Sequence, residues 1–247
     1  MDFKNKTAII TGACSGMGLF TCQELAKQGA NVVMLDINEE GLTKSCKALT
    51  DQNYSVVYRV VDVRSYEQIK AAVDFTKEKF GAIDITVSYA GGCGARVCND
   101  PHSFNDLKIE TIDWSVDVNF KSPLYMARAV LNYMIEQKSG VIINIGSIDG
   151  VTGSYASAYS ASKSGLIGFT KSIALIGAPH NVRCCCVSPG PVLIREAMAK
   201  MRTPMGRAAE PIEVVNLVLY LCSEKAAFIT GDNYLIDGGR ACGAQNK

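Results

Sequence analysis

Two side chains that could handle a proton lie four residues apart in the second half of the chain. Tyr159 and Lys163 stand in the stretch Tyr-Ser-Ala-Ser-Lys, and eleven residues separate Ser147 from Tyr159. In a helix, this spacing puts the phenol and the ammonium side by side on one face. A neighbouring cation lowers the pKa of a tyrosine from its ordinary value of about 10 and prepares it to exchange a proton with a substrate oxygen. The pair alone is weak evidence, because a solvated lysine beside a packing tyrosine has the same spacing.

A glycine-rich turn follows the first strand-like segment of the chain. Residues 11–18 read Thr-Gly-Ala-Cys-Ser-Gly-Met-Gly. The first glycine permits a tight turn, the second lets the backbone approach a pyrophosphate, and the third allows close helix packing. The following helix presents its free amides and positive dipole end to the phosphates. The turn therefore predicts a dinucleotide site formed by Gly12, Ser15, Gly16, Met17 and Gly18.

An acid at the end of the second strand-like segment distinguishes between the two nicotinamide dinucleotides. Asp36 lies eighteen residues after Gly18. Its carboxylate can accept hydrogen bonds from the adenosine ribose hydroxyls, and it would repel a 2′-phosphate. The flanking residues, Ser15 and Ile37, carry no positive charge. The sequence therefore predicts NAD rather than NADP, with Asp36 and Ile37 at the adenosine end; the alternative is that Asp36 is only a solvated turn residue.

Strand-like apolar runs alternate with helical patterns along the whole chain. The predicted strands are Thr7–Ile10, Asn31–Leu35, Ser55–Val61, Ile83–Ser88, Val141–Ile145, Val182–Val187 and Tyr234–Ile236. The predicted helices are Met17–Gln28, Glu39–Thr50, Tyr66–Phe80, Ile112–Gln137, Tyr155–Ile176 and Pro211–Cys222. This alternation predicts an α/β fold, a doubly wound seven-stranded parallel sheet with helices on both faces. No linker divides the chain, so we expect a single domain over residues 1–247, with ligands at the carboxyl ends of the strands.

The composition argues against several classes of function. The 247 residues are 48% hydrophobic and 20% charged, with a formal net charge of +1. Without a basic run, we expect no binding to nucleic acid or to an anionic membrane. The sequence shows neither a signal-peptide pattern nor a long uncharged apolar stretch, which favours a cytoplasmic protein. Ten cysteines are present; Cys184–Cys186 are typical of small apolar residues in a buried strand, and we expect reduced thiols and no metal site.

Together these motifs resemble the short-chain dehydrogenase/reductase family in its compact form. The resemblance runs from about Lys4 to Gly239. Beyond the residues above, it rests on Asp62-Val63, Ala90-Gly91, Asn119, Pro189-Gly190 and Asp237-Gly238-Gly239. The resemblance implies a Rossmann fold and an enzyme that interconverts a secondary alcohol and a ketone with NAD.

The resemblance also implies roles for the matching residues. Tyr159 would be the general acid/base, and Lys163 would lower its pKa and hold the nicotinamide ribose. Ser147 would hydrogen-bond to the substrate oxygen. Asn119 would hold a water that links Lys163 to solvent. Further cofactor contacts would come from Asp62, Val63, Ala90, Gly91, Pro189, Gly190 and Val192.

Some features depart from the family pattern. Ser88-Tyr89 replaces a pair of asparagines before Ala90, and Tyr89 is expected to reshape the pocket. Ile194 stands where a threonine often contacts the carboxamide. The substrate lid is short and the loop Gly92–Glu110 is long. We expect this loop to replace part of the lid; the alternative is a surface or subunit-contact loop.

The substrate and the assembly stay open at the level of sequence. Asp149, Thr152, Ser154 and Tyr155 are expected to line the pocket, which suits a sugar or polyol, a steroid or a hydroxyacyl compound. The leading hypothesis is an NAD-dependent alcohol dehydrogenase or carbonyl reductase. The alternatives are a catalytically inactive NAD-binding regulator of the same fold and an epimerase or dehydratase. The resemblance implies a homotetramer or homodimer with contacts through Pro211–Gly239.

Overall fold

All seven strands lie in one parallel sheet in the computed structural model, which describes residues 2–243. The strands are β1 (Thr7–Thr11), β2 (Asn31–Asp36), β3 (Val56–Val60), β4 (Ile85–Ser88), β5 (Gly140–Ile145), β6 (Val182–Pro189) and β7 (Asn233–Ile236). Their order across the sheet is β3-β2-β1-β4-β5-β6-β7. The strands before β4 are added to one side of β1, and β4 and its successors are added to the other side. At this switch in strand order, a crevice opens at the carboxyl ends of β1 and β4. The predicted doubly wound sheet is confirmed.

Helices cover both faces of this sheet. They are α1 (Gly16–Lys27), α2 (Glu39–Thr50), α3 (Tyr66–Phe80), α4 (Gly94–Val97), α5 (Ile109–Val116), α6 (Ser122–Gln137), α7 (Asp149–Thr152), α8 (Ser157–Gly177) and α9 (Pro211–Cys222). Buried residues of α1, α2 and α9 pack in one apolar cluster, and those of α3, α6 and α8 pack in another. Parallel strands are buried on both faces, which is why their sequences read as continuous apolar runs. In the described residues, no helix has the length and apolar character needed to cross a membrane.

The three consecutive cysteines of β6 show how the strands serve both cores. Successive side chains of a strand point to opposite faces. Cys184 packs with the α3–α6–α8 cluster and Cys185 with the α1–α2–α9 cluster. Both are fully buried, as is Cys186, and burial raises the pKa of the Cys186 thiol to about 11. All ten cysteines carry free thiols, and the expectation of small residues in a buried strand is confirmed for Cys184–Cys186.

Two predicted helices have different bounds in the structure. The helix expected over Ile112–Gln137 begins at Ile109, and a π-helical segment, Asp117–Lys121, separates α5 from α6. The helix expected from Tyr155 begins at Ser157. The cause lies in Gly153, which ends α7 with a φ of +77° and turns the chain before α8 can start. Tyr155 therefore lies in a turn rather than in the first turn of a helix.

Candidate active site

A cavity of about 650 Å³ lies at the carboxyl ends of the strands, over the crevice between β1 and β4. The sixteen residues predicted to contact the cofactor all line this cavity, and so does Ser147. Of the predicted catalytic residues, only Asn119 lies outside the lining, buried beneath it. The structure thus brings the predicted residues to one place, while their individual roles stay predictions.

The glycine-rich turn has the shape that a dinucleotide requires. Gly12 has a φ of +64°, and a Cβ atom there would lie only 2.8 Å from the backbone nitrogen of Ala90. A Cβ atom on Gly18 would lie 2.1 Å from the carbonyl oxygen of Gly12. Neither position tolerates a side chain, so the backbone stays open to a phosphate group. Because α1 begins at Gly16, its free amides face the same space, and the turn fits a pyrophosphate.

The adenosine end of the cavity holds a carboxylate at the end of β2. Asp36 accepts hydrogen bonds from the backbone nitrogens of Cys14 (3.2 Å) and Asn38 (3.1 Å). These contacts fix the carboxylate at the edge of the cavity, beside the exposed apolar side chain of Ile37. The carboxylate keeps lone pairs for further donors such as ribose hydroxyls.

An arginine that the sequence reasoning missed occupies the same end. Arg64 donates from Nε to both carboxylate oxygens of Asp62 (3.0 Å each) and from Nη2 to Oδ2 (2.6 Å). This hydrogen bonding to Arg64 lowers the pKa of Asp62. The Asp62 carboxylate, expected to accept from an adenine amino group, is therefore already paired with a cation. Arg64 follows the Asp62-Val63 pair directly, so its position next to that motif was the available signal.

The proton-handling residues meet at the opposite end. Tyr159 and Lys163 lie on α8, with the Lys163 Nζ atom 5.7 Å from the centroid of the Tyr159 ring. Lys163 is buried, and Nζ donates a 2.7 Å hydrogen bond to the carbonyl oxygen of Ile145 at the end of β5. Ser147 follows that strand after one residue, and its Oγ accepts from the Asp149 nitrogen at 3.1 Å. Strand β5 and helix α8 together position all three.

The pKa values correct one expectation. Burial raises the pKa of Tyr159, and this effect outweighs the Ser147 hydroxyl, which lowers it. Burial also lowers the pKa of Lys163 from 10.5 to about 8. The prediction that Lys163 brings the pKa of Tyr159 down is wrong for this structure, because Nζ is directed to Ile145 and desolvation dominates both groups.

Asn119 has a backbone-positioning role in this structure. Its Oδ1 accepts from the Gly92 nitrogen (2.8 Å), and its Nδ2 donates to the carbonyl oxygens of Gly92 (2.9 Å) and Ser115 (2.9 Å). The π-helical segment that contains Asn119 presents the side chain to this loop; such segments often occur at functional sites. Asn119 thus holds the chain just after Ala90-Gly91. The water-holding role implied by the family resemblance stays a prediction.

The substrate end differs in part from the prediction. Asp149 lines the cavity, whereas Thr152, Ser154 and Tyr155 are exposed and lie outside its lining. Tyr155 is fully exposed, as expected from its place in the turn between α7 and α8. The prediction that Thr152, Ser154 and Tyr155 line the substrate pocket is therefore wrong for this structure.

The long loop reaches the cavity only with its first residues. Gly92, Cys93 and Arg96 line it. Farther along, Asp100 is buried and accepts from His102 Nδ1 (2.5 Å), the Lys108 nitrogen and Thr111 Oγ1. The His102 contact and its neighbours lower the pKa of Asp100 to about 2. The loop is therefore organised around the internal carboxylate of Asp100, and only the start of the loop faces the cavity.

Tyr89 and Ile194, two residues that depart from the family pattern, lie at the predicted cofactor site. Tyr89 lines the cavity, but its hydroxyl is hydrogen-bonded to Thr21 Oγ1 on α1 (2.8 Å). Ile194 also lines the cavity, with its Cγ2 atom 3.6 Å from where a Cβ atom on Gly16 would stand. An apolar side chain thus covers the turn that precedes α1.

Further lining residues carried no recognisable sequence signal except proximity to a motif. These are Trp114, Val118, Arg195, Met198, Met201 and Arg240. Three of them belong to the short lid after β6, whose only regular element is the 3₁₀ turn Glu196–Lys200. In the described part of the chain, no group of three or more His, Cys, Asp or Glu side chains is placed to hold a metal ion.

Comparisons with known proteins agree with this arrangement. The family model for short chain dehydrogenases matches residues 6–205. The chain is similar to the 3-oxoacyl-(acyl-carrier-protein) reductase FabG of Thermotoga maritima, with 35% identity over 97% of this chain and 99% of that protein. It is similar to the cyclohexanol dehydrogenase of an Acinetobacter species, with 35% identity over 96% and 95% of the two chains. The crystal structure of gox2181 has a TM-score of 0.89 and 31% identity to it, over 98% of both chains.

Proposed function

Because the chain belongs to the short-chain dehydrogenase family, oxidoreductases that use NAD or NADP, we propose that it interconverts a secondary alcohol and a ketone with NAD. One observation carries this proposal: a single cavity joins the glycine-rich turn and Asp36 to Ser147, Tyr159 and Lys163. When bound, the dinucleotide supplies or accepts the hydride. The protein supplies the binding site, the orientation and one proton.

Tyr159 moves that proton. Burial raises its pKa, so the phenol is protonated at neutral pH and can donate its hydroxyl proton to a carbonyl oxygen during reduction. The Ser147 hydroxyl lowers the pKa of the Tyr159 phenol. It can also hydrogen-bond to the carbonyl oxygen of the substrate and stabilise the charge that develops there. Lys163 adds a positive charge nearby in its protonated form. In alcohol oxidation the reverse step uses the deprotonated form, whose phenolate oxygen accepts the proton of the alcohol hydroxyl.

The choice of NAD rests on the charges at the adenosine end. Asp36 repels a 2′-phosphate, and Ile37 offers it no cation. Among residues 2–243, Arg64 is the cation that lines this end, and Asp62 neutralises it through a bidentate pair. We expect NADH to bind at least about fivefold more tightly than NADPH, because one uncompensated like-charge contact costs on the order of 1 kcal/mol or more.

Titration of the protein with each reduced dinucleotide tests this choice. Trp114 is the only tryptophan of the chain and lines the cavity, so quenching of its fluorescence reports binding. The Asp36→Ala variant should have a smaller difference in affinity between NADH and NADPH. Tighter binding of NADPH by the unaltered protein would contradict the assignment.

The relatives support the reaction class. Their names describe a cyclohexanol dehydrogenase and an oxoacyl reductase, which concern a secondary alcohol and an oxo compound. We propose a substrate of the same general kind, a secondary alcohol or ketone within the range of sugars or polyols, steroids and hydroxyacyl compounds.

Turnover by the Tyr159→Phe variant tests the proton donor. It should lose at least about a hundredfold in kcat, since a positioned acid or base contributes about 10²–10⁴-fold. Its NADH affinity should stay within about twofold, because the phenyl ring is retained. Tyr155→Phe is the matched control, since Tyr155 is exposed and outside the cavity. Equal activity of both variants would reject the role of Tyr159.

We also propose a homotetramer or homodimer with contacts through residues 211–239. Large apolar side chains are exposed on α9, on β7 and on the connection between them, namely Tyr220, Phe228 and Leu235. Such side chains favour burial against another copy. Light scattering of the protein and of Phe228→Ser tests this: a monomer at micromolar concentration contradicts it. The expected cytoplasmic location stays a prediction for cell fractionation.

A further inference from the structure

Three arginines of the cavity lining have no carboxylate partner in the described part of the chain. Arg96 lies on α4, Arg195 lies in the lid, and Arg240 follows β7. All three line the cavity. Among residues 2–243, none of them has a carboxylate within ion-pair distance. Guanidinium ions without a carboxylate partner give the cavity a positive potential, which favours the entry of an anion.

The position of Arg96 connects this group to the catalytic centre. Its Nη2 atom lies 3.1 Å from where a Cβ atom on Gly92 would stand. Gly92 is held by Asn119, and a Cβ atom on the preceding Gly91 would lie 3.5 Å from Lys163 Nζ. The guanidinium therefore rests on the same short backbone segment that borders the proton-handling residues.

Arg195 approaches from the other side. It follows Ile194, which covers Gly16, and within residues 2–243 its guanidinium makes one hydrogen bond, from Nη2 to the Met198 sulfur at 3.7 Å. Its charge also lowers the pKa of Tyr159, while Asp149 raises it, so both charges are felt at the phenol. Asp149 is the one acid that lines this end; the other two acids of the cavity, Asp36 and Asp62, belong to the adenosine end.

We propose that Arg96 and Arg195 bind an oxyanion of the substrate, so that the preferred substrate is a hydroxy acid or keto acid whose carboxylate lies between the two guanidinium groups. Arginine suits this role because its planar donors match a carboxylate. Arg240 adds positive potential at the same end. This inference rests on the proposed function and narrows its substrate class.

The same chemistry could serve the diphosphate of the cofactor, since Ile194 covers the phosphate turn. The two sources differ in which measurement changes. If an arginine binds the substrate, its substitution weakens the binding of acids but not of esters. If it binds the diphosphate, its substitution weakens the binding of NADH and leaves the preference for acids over esters intact. Arg96 lies beside Gly92, the residue after the Gly91 that borders Lys163, rather than beside Gly16, and this placement favours the substrate.

Matched keto acids and esters provide the probes. Acetoacetate, 4-oxopentanoate and 5-oxohexanoate carry the anion at three distances from the keto carbon, and their methyl esters are neutral. Binding is measured first, by Trp114 fluorescence, with each probe added to the NAD⁺-loaded protein. In this mixture both reactants are oxidised and no turnover occurs. The binding result thus stands even if the proposed reaction is wrong, whereas NADH oxidation with each probe tests that reaction separately.

We expect at least one acid to bind at least about tenfold more tightly than its ester, as a charge-assisted hydrogen bond allows. Arg96→Gln and Arg195→Gln should each remove most of this difference and leave the NADH Kd within about twofold. Arg202→Gln is the matched control, because Arg202 is exposed on the same lid and does not line the cavity. Equal binding of acids and esters throughout the series would overturn the proposal. Weaker NADH binding in both arginine variants, with an unchanged acid preference, would assign them to the diphosphate instead.

Discussion

Lys163 gives the sharpest link between the structure and a measurement of stability. Its ammonium is buried on α8, with one hydrogen bond to the Ile145 carbonyl. Burial lowers its pKa from 10.5 to about 8, so below pH 8 the folded protein carries a charge that the interior disfavours. Replacing Lys163 by Met retains an unbranched side chain and removes the titration.

The magnitude follows from the two pKa values. Between pH 8 and 10.5 the unfolded chain binds more protons than the folded one, so the free energy of unfolding rises with pH. Each pH unit between the two pKa values is worth about 1.4 kcal/mol, which gives a cost of about 3 kcal/mol at pH 7. From pH 7 to pH 9.5, about 2 kcal/mol of that cost should disappear in the protein with Lys163. The hydrogen bond to Ile145 does not change this slope, because a neutral amine can still donate.

Urea unfolding of the cofactor-free protein and of Lys163→Met, at pH 7, 8, 9 and 9.5, measures this effect. The difference in unfolding free energy between the two proteins should change by about 2 kcal/mol in favour of Lys163 as the pH rises. Other groups that titrate in this range cancel in the difference. Tyr159 faces Lys163, so the pair is repeated in the Tyr159→Phe background. A flat difference, or one of opposite sign, would refute burial as the cause of the lowered pKa.

Three further predictions concern residues around the same cavity. Gly91→Ala should lower kcat/KM at least about tenfold and reduce the melting temperature, because overpacking costs about 1–3 kcal/mol and its Cβ atom would lie 2.5 Å from Asn119 Oδ1. The control Gly168→Ala has open space within α8 and should be neutral or stabilising by up to about 1 kcal/mol; equal losses in both would contradict the packing argument. Asp100→Asn should increase proteolysis of the loop and lower the melting temperature without a large change in kcat, as seen by limited digestion and steady-state kinetics, whereas an unchanged digestion pattern would rule out the internal carboxylate as the organiser. Ketone reduction should keep its kcat/KM through neutral pH and lose it only in alkali, because burial raises the pKa of Tyr159; a loss that begins below pH 7 would contradict this.

The sheet could be predicted because most of its strands are largely apolar and are separated by segments with a helical pattern. Cys184–Cys186, for example, indicate a strand buried on both faces, and the structure confirms this. The π-helical segment Asp117–Lys121 could not be predicted, because one extra residue in a turn hardly alters an apolar periodicity. The start of α8 was also missed, since the positive φ of Gly153 decides it and the flanking residues are compatible with a helix.

The lining of the cavity was predictable where short motifs dictate backbone shape. Gly12 and Gly18 leave no room for a side chain, and that requirement is visible in the residue type itself. The pKa of Tyr159 was not predictable from its spacing to Lys163. Spacing gives proximity, but the direction of Nζ toward Ile145 and the loss of solvent decide the sign. Arg195 was missed for a similar reason: the lid has no pattern that places its side chains.

The long loop owes its shape to two anchors that do not touch the cavity space. Asn119 holds the loop at Gly92, and Asp100 holds its interior through His102, Lys108 and Thr111. Between these anchors, Cys93 and Arg96 face the cavity. A substitution at either facing residue can therefore change what binds without moving the backbone beside the catalytic residues. A substitution at Asn119 moves that backbone, so it should reduce activity toward every substrate in similar proportion, whereas a substitution at Asp100 loosens only the interior of the loop. Selective loss for acids in Arg96→Gln, against a uniform loss in Asn119→Ala, is the pattern that separates recognition from positioning in this site.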